Sequence, residues 1–337
     1  MRLQKRLRAI GLRPISTLVD ITNYITFTYA RPLHVFDADK THGNISARPA
    51  KEGETILALD GKTYNLQAPM VVIADERGAE AIGGIMGGEA SGCSDATTNV
   101  FLESAWFDPQ RTAATGRRLS INSDARYRFE RGVDPAFTQT GVEIATRMIL
   151  ELCGGEASEV VRAGTPPSGA KIVAYDPALS QTLGGVAIAG DEQKRILGAL
   201  GFAVTADWKV TTPGWRPDVD GAPDIVEEVV RIHGLDNVAS VALPRSDGVA
   251  RPTATPAQKL ERRVRRAAAS RGLNEAVTWS FLPTGEAGHF ASSDLWMLAN
   301  PISEDMKAMR PSLLPGLLSA AARNVARGAS SLRLFEI

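Results

Sequence analysis

Hydrophobic and polar positions along the chain fall into three runs, separated by stretches rich in proline, glycine and small polar residues. In the first run, to about residue 163, TILAL (55–59), MVVIAD (70–75) and NVFLESAWF (99–107) predict strands. DGKTY (60–64) predicts a tight hairpin turn, since Asp-Gly supplies the positive φ such turns need. Residues 135–152 place Val142, Ala145, Met148, Ile149 and Leu152 at helical spacing, and Gly154-Gly155 ends that helix. GTPPSG (164–169) reads as a linker.

The second run, to about residue 244, predicts a strand at KIVAY and then a short helix. Asp191 is the expected N-cap, Ile196, Leu197 and Leu200 the apolar face, and Gly201 the stop. A strand in AVTADWKVTTP follows, then a helix from Asp224 to Gly234. The third run begins after RPTATP (251–256) with a helix over 257–271, in which Leu260, Val264, Ala267 and Ala268 face inward and Gly272 closes the end. EAVTWSFL predicts a strand, MRPSLLPGLLSAAARNVARG a helix and LRLFEI a last strand that buries one face. That strand has no closing turn, so the chain is expected to stop inside a domain.

Composition changes this picture little. The chain has 337 residues, 44% hydrophobic and 23% charged, which suits a globular protein of two or three domains. Formal net charge is zero, so no global field gathers nucleic acid. Cys93 and Cys153 lie outside any C-x-x-C, which argues against a disulfide framework or zinc site and fits a reducing compartment. No stretch reads as a signal peptide or membrane span.

The glycine-rich AIGGIMGGEASG (81–92) fits neither phosphate motif: its glycines are paired, and Glu89 stands where a phosphate loop needs lysine. It makes two tight turns or lets backbone approach a ligand. Arg117, Arg118, Arg126, Arg128 and Arg131 in RRLSINSDARYRFER either face RNA or pair with Asp124, Glu130 and Asp134. The acidic WRPDVDGAPDIVEEV is either a helix start capped by Asp224 with Glu227 three residues on, or a hard-cation site.

Several long stretches resemble one family in the right order: VDITNYITFTYARPLHVFDADK, GGIMGGEASG, FLESAWFDP, SDARYRFERGVDP, WRPDVDGAPDIVEEVVRIHGLDNV and LANPISEDMKAMRPSLLPGLLSAAARN. The chain resembles the middle of the β subunit of bacterial phenylalanyl-tRNA synthetase. The resemblance implies an α+β multidomain chain: an editing (B3/B4) domain over 1–163, a winged-helix-like B5 domain over 168–244, and the start of a noncatalytic class II synthetase-like sheet domain over 250–337. It also implies a cytoplasmic location and an α2β2 heterotetramer with an α subunit that uses ATP, which this chain does not. tRNA(Phe) is the implied nucleic acid. No membrane association and no specific DNA binding are expected, since an acidic helix start repels phosphates.

By the same resemblance the editing domain hydrolyses Tyr-tRNA(Phe). The physical need is plain: a site shaped for an apolar ring rejects an added hydroxyl only about 100-fold, whereas a site that hydrogen-bonds the hydroxyl discriminates by roughly 10⁴ to 10⁵. The resemblance assigns that contact to Glu103, which shares a strand face with Phe101 and Ala105. It makes Gly84 and Gly87 bare backbone along the amino-acid pocket, and Asn23, Pro32, Ser123 and Ala125 further lining. Ser123 stands where the family usually has threonine. His34 is implied near the ester, where it positions water. No nucleophile motif is present, so the expectation is a positioning site, with backbone amides available to an oxyanion. The family also associates magnesium, shared with the α subunit, with positions matching Asp218, Asp224, Glu227 and Glu228. A free-standing trans-editing hydrolase and a nonenzymatic assembly or nucleic-acid-binding module are the alternatives.

Overall fold

The computed structural model describes residues 2–244 and 252–337. The chain divides into two compact α+β units, Met1–Val241 and Ala242–Ile337.

The first unit opens with helices α1 (Arg2–Ala9) and α2 (Thr17–Tyr29). α2 begins where the Ser16 hydroxyl accepts the Val19 N–H, and it ends at Ala30 in the left-handed region. Eight short strands follow: β1 (His34–Asp37), β2 (Ser46–Pro49), β3 (Thr55–Leu57), β4 (Thr63–Asn65), β5 (Val71–Ala74), β6 (Ala79–Ile82), β7 (Met86–Gly87) and β8 (Val100–Glu103). β2, β5, β6 and β7 form one antiparallel sheet in that order, β3 and β4 a hairpin, and β1 and β8 a separate antiparallel pair. The Asp-Gly turn joins β3 to β4, with Gly61 at φ 76°. The first glycine pair joins β6 to β7. Helices α3 (Pro109–Leu119), α4 (Asp124–Phe129) and α5 (Phe137–Cys153) complete this part, and Leu3, Leu7, Ile21 and Ile25 bury themselves with Ala145 of α5.

The strand expected over 99–107 pairs only as far as Glu103. The chain then leaves the ladder because side chains capture it. Ser104 Oγ donates to the Thr138 carbonyl at 2.6 Å, and Arg31 Nη1 donates to the Ala105 carbonyl at 2.7 Å.

Residues 154–168 are exposed and without regular structure. A second core follows in the same unit, built from β9 (Ile172–Ala174), α6 (Leu179–Thr182), α7 (Gly190–Ala199), β10 (Ala203–Val204), β11 (Lys209–Thr211) and α8 (Ala222–His233). The three strands pair antiparallel in the order β10-β11-β9. Ile196, Leu197, Val210, Ile225 and Val229 are its buried centre. Two helix starts differ from expectation. α7 has Ala189 at its N-cap, with Asp191 inside the first turn. α8 has Gly221 at its N-cap, and Asp224, three residues in, reaches back to accept the N–H groups of Gly221 (2.9 Å) and Asp220 (2.8 Å). Pro223 explains the shift: it lacks an N–H and fits the first turn, where none is needed.

The second unit contains α9 (Pro256–Ser270), β12 (Asn274–Glu275), β13 (Phe281–Leu282), α10 (Thr284–Gly288), β14 (Ala308–Met309), α11 (Leu314–Ala326) and β15 (Leu334–Phe335). α9 starts with a reciprocal cap between Thr255 and Gln258. β12 pairs parallel with β15, and β13 antiparallel with β14. The inward face expected of α9 is not covered: Leu260 is 53% and Val264 46% exposed. The small core consists of Leu282, Ala287 and Ala308 with Leu295 against them. At the end of the chain Glu336, not Ile337, points inward. Its carboxylate accepts from Arg310 (2.7 Å) and from the Thr278 hydroxyl (2.7 Å), and that network outcompetes burial of a single isoleucine.

Candidate active site

The β1–β8 pair sets the geometry of the candidate site. In its register His34 lies opposite Glu103 and Phe36 opposite Phe101, so all four share one face. The contacts agree: the Phe36 and Phe101 ring centroids are 5.8 Å apart, and His34 meets Phe36 edge-on at 4.4 Å. The Glu103 carboxyl carries no hydrogen bond or ion pair to any other described residue. Burial raises its carboxyl to about 7. His34 Nε2 is buried without a partner, and burial lowers the imidazole to about 4. Both side chains keep a margin of accessible surface. Near neutral pH the site therefore offers a neutral imidazole beside a carboxyl poised between its two forms, each lacking a protein partner.

The glycine loop closes one side. A Cβ on Gly87 would lie 2.3 Å from His34 Cε1 and 2.6 Å from Nε2. Gly84, at φ 70°, would put a Cβ 2.9 Å from Phe107 and 3.2 Å from Phe129. The bare backbone thus makes room first for the protein's own rings, His34 above all. The N–H groups of Gly83, Ile85 and Gly88 are spent on Val71, Ile82 and Glu80 carbonyls, so they are not available to an oxyanion. Gly84 N–H has no acceptor among the described residues.

Ser123 ties this loop to α4. Its hydroxyl donates to the Ile85 carbonyl at 2.6 Å and accepts the Arg126 N–H at 3.0 Å as the helix N-cap. Ala125, in the first turn of α4, packs in the cluster that holds Phe36, Phe107 and Phe129. Pro32 is buried two residues before His34. Asn23 is half-buried on α2, and among the described residues no side-chain hydrogen bond ties it to the others.

Sequence reasoning passed over Arg31. It is 1% exposed, donates to the carbonyls of Ala105 and Asp134, and lies against Gly141 of α5, where a Cβ would come within 2.8 Å of its Cγ. Its Nε has no partner, and burial lowers the guanidinium to about 10 while Asp134 opposes the shift. One cation thus holds together the ends of β8, α4 and α5. An arginine between an αL residue and Pro32 carried no sequence signal of such burial. Nothing marks Cys93 as a nucleophile: burial and Asp37 raise its thiol, and its side-chain hydrogen bond among the described residues is a weak one to the Val35 carbonyl at 3.7 Å.

Of the five arginines near the site, three are paired within the domain: Arg126 with Glu130 (2.9 Å), Arg128 with Asp124 (3.3 Å) and Arg131 with Glu130 (3.0 Å). Arg117 and Arg118, in the last turn of α3, are exposed without such a partner among the described residues.

The four carboxylates of the second core do not assemble. Asp218 and Glu228 both grip Arg216, at 2.6 and 2.8 Å, and Glu228 also takes Arg231 at 2.7 Å. Asp224 is occupied by the two backbone N–H groups at the start of α8. Among the described residues no three His, Cys, Asp or Glu side chains converge as cation ligands. In this arrangement the set does not fit magnesium: Asp218 and Glu228 are neutralised by Arg216, Asp224 is spent on the helix start, and Glu227 is exposed without joining them.

Fold and sequence together define the class. Residues 173–235 match the tRNA synthetase B5 domain and 1–154 the B3/4 domain, so this is an α+β chain of the aminoacyl-tRNA synthetases. Residues 241–337 match the phenylalanyl tRNA synthetase beta chain CLM domain. Over the part that it spans, the chain belongs to the phenylalanyl-tRNA synthetase β-subunit family. It is 66% identical over 336 residues to the phenylalanine–tRNA ligase beta subunit of Novosphingobium aromaticivorans, 55% over 333 residues to that of Zymomonas mobilis and 56% over 341 residues to that of Rhodospirillum rubrum. Each match takes in 99% of this chain and 42% of the relative. An N-terminal fragment of the phenylalanyl-tRNA synthetase beta subunit from Pyrococcus horikoshii matches 63% of this chain and 64% of its own at 16% identity and a TM-score of 0.33, which is too slight a likeness to bear on the site. Among the described residues no helix is long and apolar enough to cross a membrane.

Proposed function

We propose that the β1–β8 face is an editing site that hydrolyses Tyr-tRNA(Phe), within a β subunit that supports tRNA(Phe) aminoacylation in the cytoplasm beside an ATP-using α subunit. The observation that carries this reading is the unpartnered Glu103 carboxyl directly across the ladder from His34. A carboxyl in that setting gains a hydrogen bond from a tyrosine phenol and nothing from phenylalanine. The difference between filled and empty partnering is what lets a site select a hydroxyl.

The chemistry needs no covalent intermediate. An aminoacyl ester is already activated, and holding one water against it supplies much of the acceleration. The neutral His34 imidazole orients that water; as its oxygen adds to the carbonyl carbon and the ester C–O bond breaks, the proton of the water passes to the departing ribose oxygen. Gly84 N–H, without an acceptor among the described residues, is one backbone donor of the loop available to the developing oxyanion. Arg117 and Arg118 are the free cations that meet the tRNA backbone near the site. Pro32 and Ala125 line the pocket at one remove, and the family resemblance alone adds Asn23.

The test is deacylation of Tyr-tRNA(Phe) against Phe-tRNA(Phe) by the β chain assembled with its α subunit. The reading expects tyrosine to be removed and phenylalanine spared, with loss of the activity in His34→Ala. Equal hydrolysis of both esters contradicts the selector, and full activity in His34→Ala contradicts the water-positioning role.

A further inference from the structure

The His34–Glu103 pair is the last rung of its ladder, and the two strands that carry it pair with no third. A ribbon of two strands is only marginally stable unless something holds its ends. The far end is held by backbone: the Ala38 N–H donates to the Asn99 carbonyl at 2.9 Å, one step beyond Asp37 and Val100. In an antiparallel ladder the bonded pairs recur at every second residue. The register that bonds Ala38 to Asn99 therefore puts Pro32 opposite Ala105 at the next bonded step past His34. Proline has no N–H to give there. The Ala105 carbonyl accepts instead from Nη1 of Arg31, the residue before that proline, at 2.7 Å. Nη2 of the same guanidinium donates to the Asp134 carbonyl, between α4 and α5. Gly141 of α5 leaves the room this side chain needs: a Cβ there would lie 2.8 Å from Arg31 Cγ and 3.4 Å from Ser104 Oγ.

From this geometry we propose that Arg31 is a positioning residue of the editing reaction: it supplies the rung that Pro32 cannot, and so fixes His34 against Glu103. The proposal rests on the editing reading of that pair. Arg31 stands just before β1 and Ala105 just after β8, so the bond between them spans the two chains where they leave the site. The second bond anchors this rung to the chain between α4 and α5, so the ladder end cannot slide without moving a buried cation. A guanidinium makes both bonds at once through its planar fork. An ammonium is a compact charge on a flexible stem and does not hold two carbonyls in that fixed geometry. A misplacement of about 1 Å at reacting groups costs on the order of 10²-fold in rate, so loss of the rung falls on turnover.

The test pairs Tyr-tRNA(Phe) deacylation by the β chain assembled with its α subunit with the NMR titration of the His34 ring in this chain. Arg31→Lys is expected to lower kcat at least about tenfold with KM changed less than about threefold. It is also expected to move the His34 titration up from about 4 towards the ordinary histidine range. Gly141→Ala keeps Arg31 and favours the helix, but it crowds the stem of the guanidinium. It is expected to change kcat and the His34 titration in the same direction, and it carries the test if Arg31→Lys does not fold. Leu66→Ala empties a buried position in a separate core cluster of the domain and controls for lost stability alone. It is expected to keep the parent's kcat and His34 titration. Urea unfolding puts the variants on one stability scale. The proposal is overturned if folded Arg31→Lys or Gly141→Ala retains the parent's kcat and His34 titration, if the loss falls on KM alone, or if Leu66→Ala at equal stability loses as much kcat. If the parent itself does not deacylate Tyr-tRNA(Phe), the editing reading fails, and the His34 titration by itself decides whether Arg31 holds the pair.

Discussion

The hydroxyl of Ser123 donates to the Ile85 carbonyl at 2.6 Å and accepts the Arg126 N–H at 3.0 Å. One side chain therefore starts α4 and fixes the turn that carries Gly84 and Gly87. Ser123→Ala removes both bonds, and the expected cost is about 1–3 kcal/mol from the lost cap and the stranded carbonyl. Ser123→Thr keeps the hydroxyl and is expected to stay within about 0.5 kcal/mol of the parent. Urea unfolding of the three proteins checks this. An alanine variant as stable as the parent shows that the tether is not stabilising.

Gly87→Ala is expected to displace His34, because the added carbon would sit 2.3 Å from Cε1 of a ring that is hemmed in by Phe36. Overpacking of this kind costs about 1–3 kcal/mol. The informative measurement is the NMR signal of the His34 ring, which should shift and titrate closer to the ordinary histidine range. An unchanged His34 signal in a folded Gly87→Ala protein means that the glycine is not what seats the imidazole.

Two opposite pH effects follow from the pair. The Glu103 carboxyl is raised to about 7 in the fold, so it stabilises fully below its unfolded pKa of 4.5, and that contribution is lost as pH rises towards 7. His34 is lowered to about 4, so its contribution is present above 6.5 and is lost as pH falls towards 4. Glu103→Gln should therefore gain melting temperature relative to the parent on going from pH 4.5 to 7.5. His34→Asn should gain relative to the parent on going from pH 7 to 4.5. Thermal melts across that range decide the matter, and parallel profiles for parent and variants contradict the assigned shifts.

Residues 252–337 are expected to exchange amide hydrogens faster than β5, β6 and α8, and to self-associate as concentration rises. Their buried core is three residues, while Trp279 and Trp296 are 75% and 77% exposed and the apolar stripe of α9 lies open. Hydrogen exchange in a dilute sample and light scattering over a concentration series test this. Protection equal to that of the first unit, with no association, contradicts it.

Patterns that depend on neighbours along the chain were legible in the sequence: the Asp-Gly turn, the helix now seen over Phe137–Cys153, the stop at Gly234 and the shared face of Phe101 and Glu103. What depends on distant partners was not. The strands His34–Asp37 and Ala79–Ile82 are too short and too mixed to alternate visibly, and they exist because Val100–Glu103 and Val71–Ala74 pair with them. Leu260 and Val264 have the spacing of a buried face, but periodicity says which residues lie together, not what covers them. Arg31 is the sharpest case. Its burial follows from carbonyls 74 and 103 residues away and from the missing side chain of Gly141. The carboxylates after Trp215 were legible as a helix start, though not with Arg216 at their centre, because the cation lies inside the motif itself.

The central claim is that Glu103, opposite His34, selects tyrosine. Competition binding of L-tyrosine against L-phenylalanine to the chain, for the parent and for Glu103→Ala of matching circular dichroism, tests it most directly. The account predicts that the parent prefers tyrosine and that the variant's preference falls at least tenfold, a loss of about 1.4 kcal/mol, with phenylalanine affinity little changed. A folded Glu103→Ala protein that still prefers tyrosine as strongly as the parent would contradict it.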